Sequence, residues 1–214
     1  MINFLFGNIG KINKRVLSSF KELPPDKYEK SKGYYFRHRR YSRILIENNL
    51  NYPKISFLKK SFFYQEKKRN RYAGGKQRVF KSINKKILQY FIKIYLNNFN
   101  HLLNFKKIEI GFHQLRIKCS KEFVGYPVPE GWHKDGFNYV VIINFDSKNI
   151  EGGITRIKNN LANKDSYSNF LKKGDYIFLN DNKFYHYTDP INITKNSSIG
   201  FRDTLVITIK ELKN

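Results

Sequence analysis

Apolar residues change their spacing partway along the chain, and that change predicts where helix gives way to sheet. Between Ser82 and Asn104, the residues Ile87, Phe91, Ile94, Leu96, Phe99, Leu102 and Leu103 recur largely every three or four positions. That period places them on one face of a helix packed against a sheet, with Ser82 as its cap. From Ile108 the period becomes two: Ile108, Ile110 and Phe112 alternate with polar or small residues, and Gln114 and Arg116 continue the same face. Polar residues extending an apolar face predict either a lined cavity or a strand leaving the core.

Strand signals then follow at short intervals. Tyr139 to Ile143 is an aromatic and β-branched run, as a buried strand requires. A turn at Asn149 to Gly153 leads into a strand at Ile154 to Ile157, and LKKGDYIFL (171–179) forms another turn and strand around Gly174 and Asp175. The final strand runs from Arg202 to Ile209. Before the long helix, a short helix is predicted near Lys11 to Phe20, broken by Pro24 and Pro25. Tyr34 to Tyr41 sets Arg37, His38, Arg39 and Arg40 among aromatics, which suits a basic edge strand or a wall that meets an anion. The fold class predicted is α+β with a mainly β core, an antiparallel barrel or jelly roll with helices outside it.

Length adds that 214 residues fit one domain able to bury a core without disulfides. The expected division is an N-terminal extension (1–33), flanking helices and strands (34–106) and the β core (107–210). Single Cys119 and the absence of a signal-like start point to a reducing, cytoplasmic setting. Apolar runs fall short of the roughly 20 residues that span a bilayer, so no membrane partner is expected. Charge changes the picture more, because 41 Lys and Arg against 17 Asp and Glu give a net +24. A chain so basic can attract nucleic acid. Its basic residues are scattered, however, with no run of six like charges. Nothing in the pattern specifies an oligomeric state.

The chemistry-bearing stretch is GWHKDGFNYVVIINF (131–145), where His133 and Asp135 stand two residues apart. On a strand both would share a face and reach one metal ion, and a second histidine would complete a facial triad of the non-haem Fe(II) type. A His-x-Asp pair alone is common by chance. Here His186 follows on a later strand and Arg202 opens the last one, and it is this order that is specific. The arrangement resembles the Fe(II)- and 2-oxoglutarate-dependent dioxygenases. PVPEGWHKDGFNYVVIINF, NIEGG, LKKGDYIFLNDNKFYHYTDPI and GFRDTLVIT look like successive motifs of the bacterial family that includes L-isoleucine 4-hydroxylase, and RHRRYSR, GGKQRVF and HQLRI extend the similarity upstream.

That resemblance implies a double-stranded β-helix of the cupin-like type. It also implies Fe(II) on His133, Asp135 and His186, 2-oxoglutarate held by Arg202, and O2 as oxidant. The implied reaction hydroxylates a free amino acid or a similar small aliphatic metabolite, releasing succinate and CO2. A carboxylate at Asp135 favours hydroxylation over halogenation, since no site is vacated for a halide. Arg78, Gln114, Arg116 and Trp132 are candidate substrate contacts, and Trp132 departs from the smaller aliphatic residue usual in the family. The alternative is a nucleic-acid-directed demethylase of the same superfamily or a basic binding module. Arg202 is the last arginine of the chain, whereas demethylases usually carry a second one shortly after it.

Overall fold

The computed structural model describes residues 3–212 except 30–32, 34, 49–52, 60–61, 68–73 and 162–163. In chain order the elements are β1 (Phe4–Asn8), α1 (Lys14–Ser19), β2 (Arg37–Asn48), β3 (Pro53–Leu58), β4 (Phe62–Phe63), β5 (Arg78–Val79) and α2 (Lys85–Asn98). There follow β6 (Lys107–Ser120), β7 (Tyr139–Lys148), β8 (Ile150–Gly152), β9 (Thr155–Lys158), β10 (Tyr167–Asn169), β11 (Asp175–Asn180), β12 (Tyr185–Thr188), β13 (Ile191–Ile193) and β14 (Ile199–Glu211). The large sheet has the order β1-β11-β7-β14-β6-β2-β3, and a smaller one has the order β10-β9-β12. All their pairings are antiparallel. This is the jelly roll that the strand spacing predicts.

The large sheet is buried on both faces, which is why β7 reads as a continuous apolar run rather than an alternation. One face, carrying Ile44, Ile110, Phe112, Val141, Ile143, Leu205 and Ile207, packs against α1 and α2. The other face carries Val140, Ile142, Ile177 and Leu179 and meets Ile157, Leu171 and Phe184 from the smaller layer. In α2 the buried residues are Ile87, Leu88, Phe91, Ile92, Ile94 and Tyr95, at the helical spacing read from the sequence. Fully burying each such side chain contributes about 1.5–3 kcal/mol. The cap is Asn84, not Ser82: the Asn84 side chain accepts the Lys86 N–H at 3.0 Å. Gly111 of β6 has no alternative, because a Cβ there would stand 2.5 Å from Thr208 Oγ1 and 2.6 Å from the Tyr41 hydroxyl.

The basic block forms the start of β2, where Arg37 to Tyr41 pair with β6 while β3 pairs only from Arg43 onward. The outer side of the block is an edge met by an isolated Pro25–His38 bridge and by hydrogen bonds to Pro24, Asp26 and Lys81. Its Tyr34 lies outside the described residues. One further expectation is corrected: His133 and Asp135 do not ride on β7 but precede it in a loop. No helix among the described residues is long and apolar enough to cross a membrane.

Candidate active site

Three loops and strand ends converge at the mouth of the jelly roll, between the two sheets. His133 and His186 form an isolated antiparallel bridge, each donating its N–H to the other's carbonyl (3.2 and 3.0 Å). This brings their rings to 4.2 Å. Asp135 reaches between them, with Oδ1 3.4 Å from His133 Nε2 and Oδ2 3.5 Å from His186 Nε2. All three offer a ligand atom within 4.8 Å of the others. His133 Nδ1 lies 3.0 Å from the Gly131 carbonyl, which can only accept, so that nitrogen carries the proton and Nε2 is the one turned to Asp135.

The loop that delivers Asp135 is shaped by Asp181. Consecutive N–H groups of Asp135, Gly136 and Phe137 donate to its carboxylate at 2.9, 2.6 and 2.9 Å. Gly136, at φ 91°, supplies the left-handed backbone that lets three successive donors point inward. Asp181 Oδ1 also lies 3.8 Å from His186 Nδ1, so one buried acid touches both ligand-bearing segments. A second constraint acts on the Asp135 side chain itself: Gln65 Nε2 donates to its Oδ1 at 2.7 Å, and Arg78 donates to Gln65 Oε1 at 2.7 Å.

Electrostatics make this a cation site. Burial disfavours charge on His133, yet the hydrogen bond and charge of Asp135 prevail and raise it to about 9. Burial likewise works against the Asp135 anion, but its two histidine partners hold it well below the usual carboxylate range. Two imidazole nitrogens and a carboxylate oxygen, buried and clamped from behind, fit a divalent iron by donor type and number.

The cluster opens on a cavity. From β7, β12 and β14 come Ile142, Thr188, Arg202, Thr204 and Val206; from β2, β4, β5 and β6 come Arg37, Arg39, Phe63, Arg78, His113, Leu115 and Ile117. Gln65, Glu130 and Thr208 add to the polar lining. Arg202 is 2% exposed, and burial lowers its guanidinium to about 10. One of its nitrogens donates to Thr155 Oγ1 at 3.1 Å, its Nε has no acceptor, and it forms no ion pair with a carboxylate among the described residues.

Of the remaining candidates, Arg78 lines the cavity, whereas Gln114, Arg116 and Trp132 do not. Gln114 and Arg116 do share the face of Ile108, Ile110 and Phe112, but that face looks toward the helices. Gln114 donates to Ser19 Oγ at 2.8 Å, and Arg116 grips Asp203 through two contacts of 2.6 Å. The alternate residues His113, Leu115 and Ile117 line the cavity instead. Trp132 packs on Tyr187 at 5.6 Å with the Lys158 ammonium 4.0 Å from its ring. Asp181, His113 and Glu130 were not singled out from the sequence. Their signal, a single acid in a loop or a single histidine within a strand, is too common to read without the fold.

The 2OG-Fe dioxygenase family model matches residues 17–208. The chain belongs to that family. Its members use Fe(II), 2-oxoglutarate and O2, and the His133, Asp135 and His186 cluster is a candidate for the iron. Among relatives, L-isoleucine-4-hydroxylase of Bacillus thuringiensis is 29% identical over 188 residues, which cover 83% of this chain and 77% of that protein. The fold is shared with the crystal structure of IDO from Bacillus thuringiensis (TM-score 0.77, 21% identity, 99% of this chain and 95% of that one). It is also shared with a bsmA homolog from Methylobium petroleophilum PM1 (TM-score 0.77, 22% identity, 92% and 80%).

Proposed function

We propose that this dioxygenase hydroxylates a free L-amino acid or a similar small aliphatic metabolite, using Fe(II) held by His133, Asp135 and His186 and 2-oxoglutarate anchored by Arg202. Residues 17–208 act together as one catalytic unit. The observation that carries the reading is Arg202: a buried guanidinium with no carboxylate partner among the described residues, on the same cavity as two histidines and an aspartate. A planar fork of this kind suits the far carboxylate of a dicarboxylic acid, and Thr155 fixes its orientation.

With iron and 2-oxoglutarate bound, the site supplies an oxidation in which one atom of O2 enters succinate as CO2 departs and the other enters the substrate as a hydroxyl. The protein's own groups arrange that event. Gln65 and Asp181 hold the Asp135 carboxylate and its loop in place, and the Gly131 carbonyl fixes the tautomer of His133. Ile142, Val206, Leu115 and Phe63 give the cavity apolar walls that keep bulk water from the reacting carbon.

The amino-acid part of the proposal is supported by the relative named L-isoleucine-4-hydroxylase, whose match covers 83% of this chain. The nucleic-acid alternative gains no support from the relatives described above. Succinate release measured with Fe(II), 2-oxoglutarate and each of the twenty L-amino acids tests it. Stimulation by one or a few apolar amino acids is the expected result, and a flat response across the panel would overturn the substrate class.

A further inference from the structure

Scattered along the sequence, the positive charge gathers once the chain folds. No Asp or Glu precedes Glu22, and none lies between Glu66 and Glu109, so α1 and α2 contain no acid at all. These two helices lie side by side on one face of the large sheet. The Asn13 N–H, at the start of α1, donates to the Tyr90 hydroxyl of α2 at 3.4 Å, and the Phe20 and Phe91 rings stand 6.5 Å apart. Their inner sides carry Val16, Ile87, Phe91 and Tyr95 into the core. Their outer sides, with the turn before α1, present Lys11, Lys14, Arg15, Lys85, Lys86 and Lys93, all exposed.

None of these six meets a carboxylate among the described residues, whereas Lys107, just beyond the helices, pairs with Glu47 at 2.8 Å. Lys85 and Lys86 occupy the first turn of α2, the end at which a helix dipole favours acids and disfavours cations, so helix formation does not account for them. Along one stripe of that helix Lys86, Gln89, Lys93 and Asn97 follow at intervals of three and four, each exposed. From Lys86 to Lys93 the helix rises about 10 Å, a length that spans about three phosphates of one strand at about 3.4 Å each. Cations interleaved with amides that donate and accept suit phosphate oxygens and sugar hydroxyls.

An anionic membrane or an acidic protein would ask for more than charge. Helices that lie on a bilayer insert apolar side chains, and protein interfaces bury an apolar or aromatic centre. The exposed large apolar residues described, among them Phe6, Phe57 and Tyr64, all fall outside both helices. We infer that the outer face of α1 and α2 docks the sugar–phosphate backbone of a nucleic acid without reading its sequence. The cavity opens on the opposite face of the sheet, where Thr204 and Val206 alternate with the Leu205 and Ile207 that meet the helices, so a docked strand leaves it free.

Fluorescence anisotropy with a labelled single-stranded RNA of mixed sequence, and with a DNA strand of the same sequence, tests the face at about 50 to 200 mM salt. One variant carries Lys85→Gln, Lys86→Gln and Lys93→Gln. Its comparison carries Lys59→Gln, Lys121→Gln and Lys195→Gln, which remove equal charge from exposed positions off the helices. Each phosphate contact of a single strand contributes about 0.7 to the slope of log K against log salt, so the α2 variant should lose about 2 from that slope. It should bind about 10- to 100-fold more weakly at about 100 mM salt, while the loop variant binds nearly as the wild type does. Lys14→Gln with Arg15→Gln, on the neighbouring helix, should weaken binding in the same direction, and urea unfolding checks that each variant folds. Equal losses in the α2 and loop variants, or no binding of either strand at the lowest salt, overturn the docking face. Retention on phosphatidylserine vesicles without binding to either strand assigns the face to membranes and overturns it too.

Discussion

Replacing Asp181 with Asn should weaken iron binding although Asp181 is not itself a ligand. In the native site one oxygen serves Gly136 and Phe137 and the other serves Asp135. Asn keeps a single acceptor, which can retain the two bonds to Gly136 and Phe137. An NH2 group then faces the Asp135 N–H, leaving that donor unsatisfied inside the protein, where Asp181 is 0% exposed. An unsatisfied buried donor costs about 1–3 kcal/mol. Since the residue affected is the one bearing the carboxylate ligand, the loss should appear as about 5- to 150-fold weaker Fe(II) binding. Anaerobic calorimetric titration with Fe(II) measures it, with urea unfolding of the metal-free protein as the control. Wild-type Fe(II) affinity in a folded Asp181→Asn variant would refute the clamp.

Other consequences can be checked separately. Arg202→Ala removes the proposed charge-assisted anchor and should raise the 2-oxoglutarate requirement about 30- to 1,000-fold, from roughly 2–4 kcal/mol; an unchanged apparent affinity would contradict the proposed role. Phe91, fully buried and 5.5 Å from the Phe145 ring, should cost about 3–5 kcal/mol in urea unfolding when replaced by Ala, and a loss under 1 kcal/mol would mean that α2 is not packed as described. His38 is lowered to about 4, first by burial and then by Lys118 and Arg116. Its folded value lies below its unfolded one, so the stability it lends is complete above about pH 6.5 and is lost as pH falls toward 4. Allowing for solvent screening of this half-buried ring, that amounts to roughly 1–2 kcal/mol. His38→Asn should therefore lose less stability than the wild type between pH 7 and 4.5, and parallel losses would count against it.

Periodicity made the fold legible wherever one face of an element is buried. Helix α2 and strand β6 are read from Ile87 to Phe112 because their apolar residues follow periods of 3.6 and 2. The error lay in which face meets the cavity. Gln114 and Arg116 follow the apolar row faithfully, but in a sheet buried on both sides that row can face helices as readily as ligand. Sequence periodicity carries no sign that distinguishes the two. His133 and Asp135 illustrate a different limit: they converge with His186, but through a bridge and a three-donor loop around Asp181 rather than through the regular strand their spacing suggested. The basic block reads as an edge strand or as a wall meeting an anion; it lies at the edge of the strand pairing beyond β6, with Arg37 and Arg39 turned to the cavity. Placement of Glu130, Gln65 and His113 beside the cluster depends on long-range pairing, such as that of β2 with β6, which no local pattern encodes.

Oxygen tracing tests the central claim most directly. Turnover under 18O2 with 2-oxoglutarate and the stimulating amino acid is followed by mass spectrometry of both products. One labelled atom should appear in succinate and one in the hydroxylated amino acid, in equal amounts, and both should disappear together in His186→Ala. Labelled succinate with no label in any amino acid, or label in both products from the His186→Ala protein, would contradict the account.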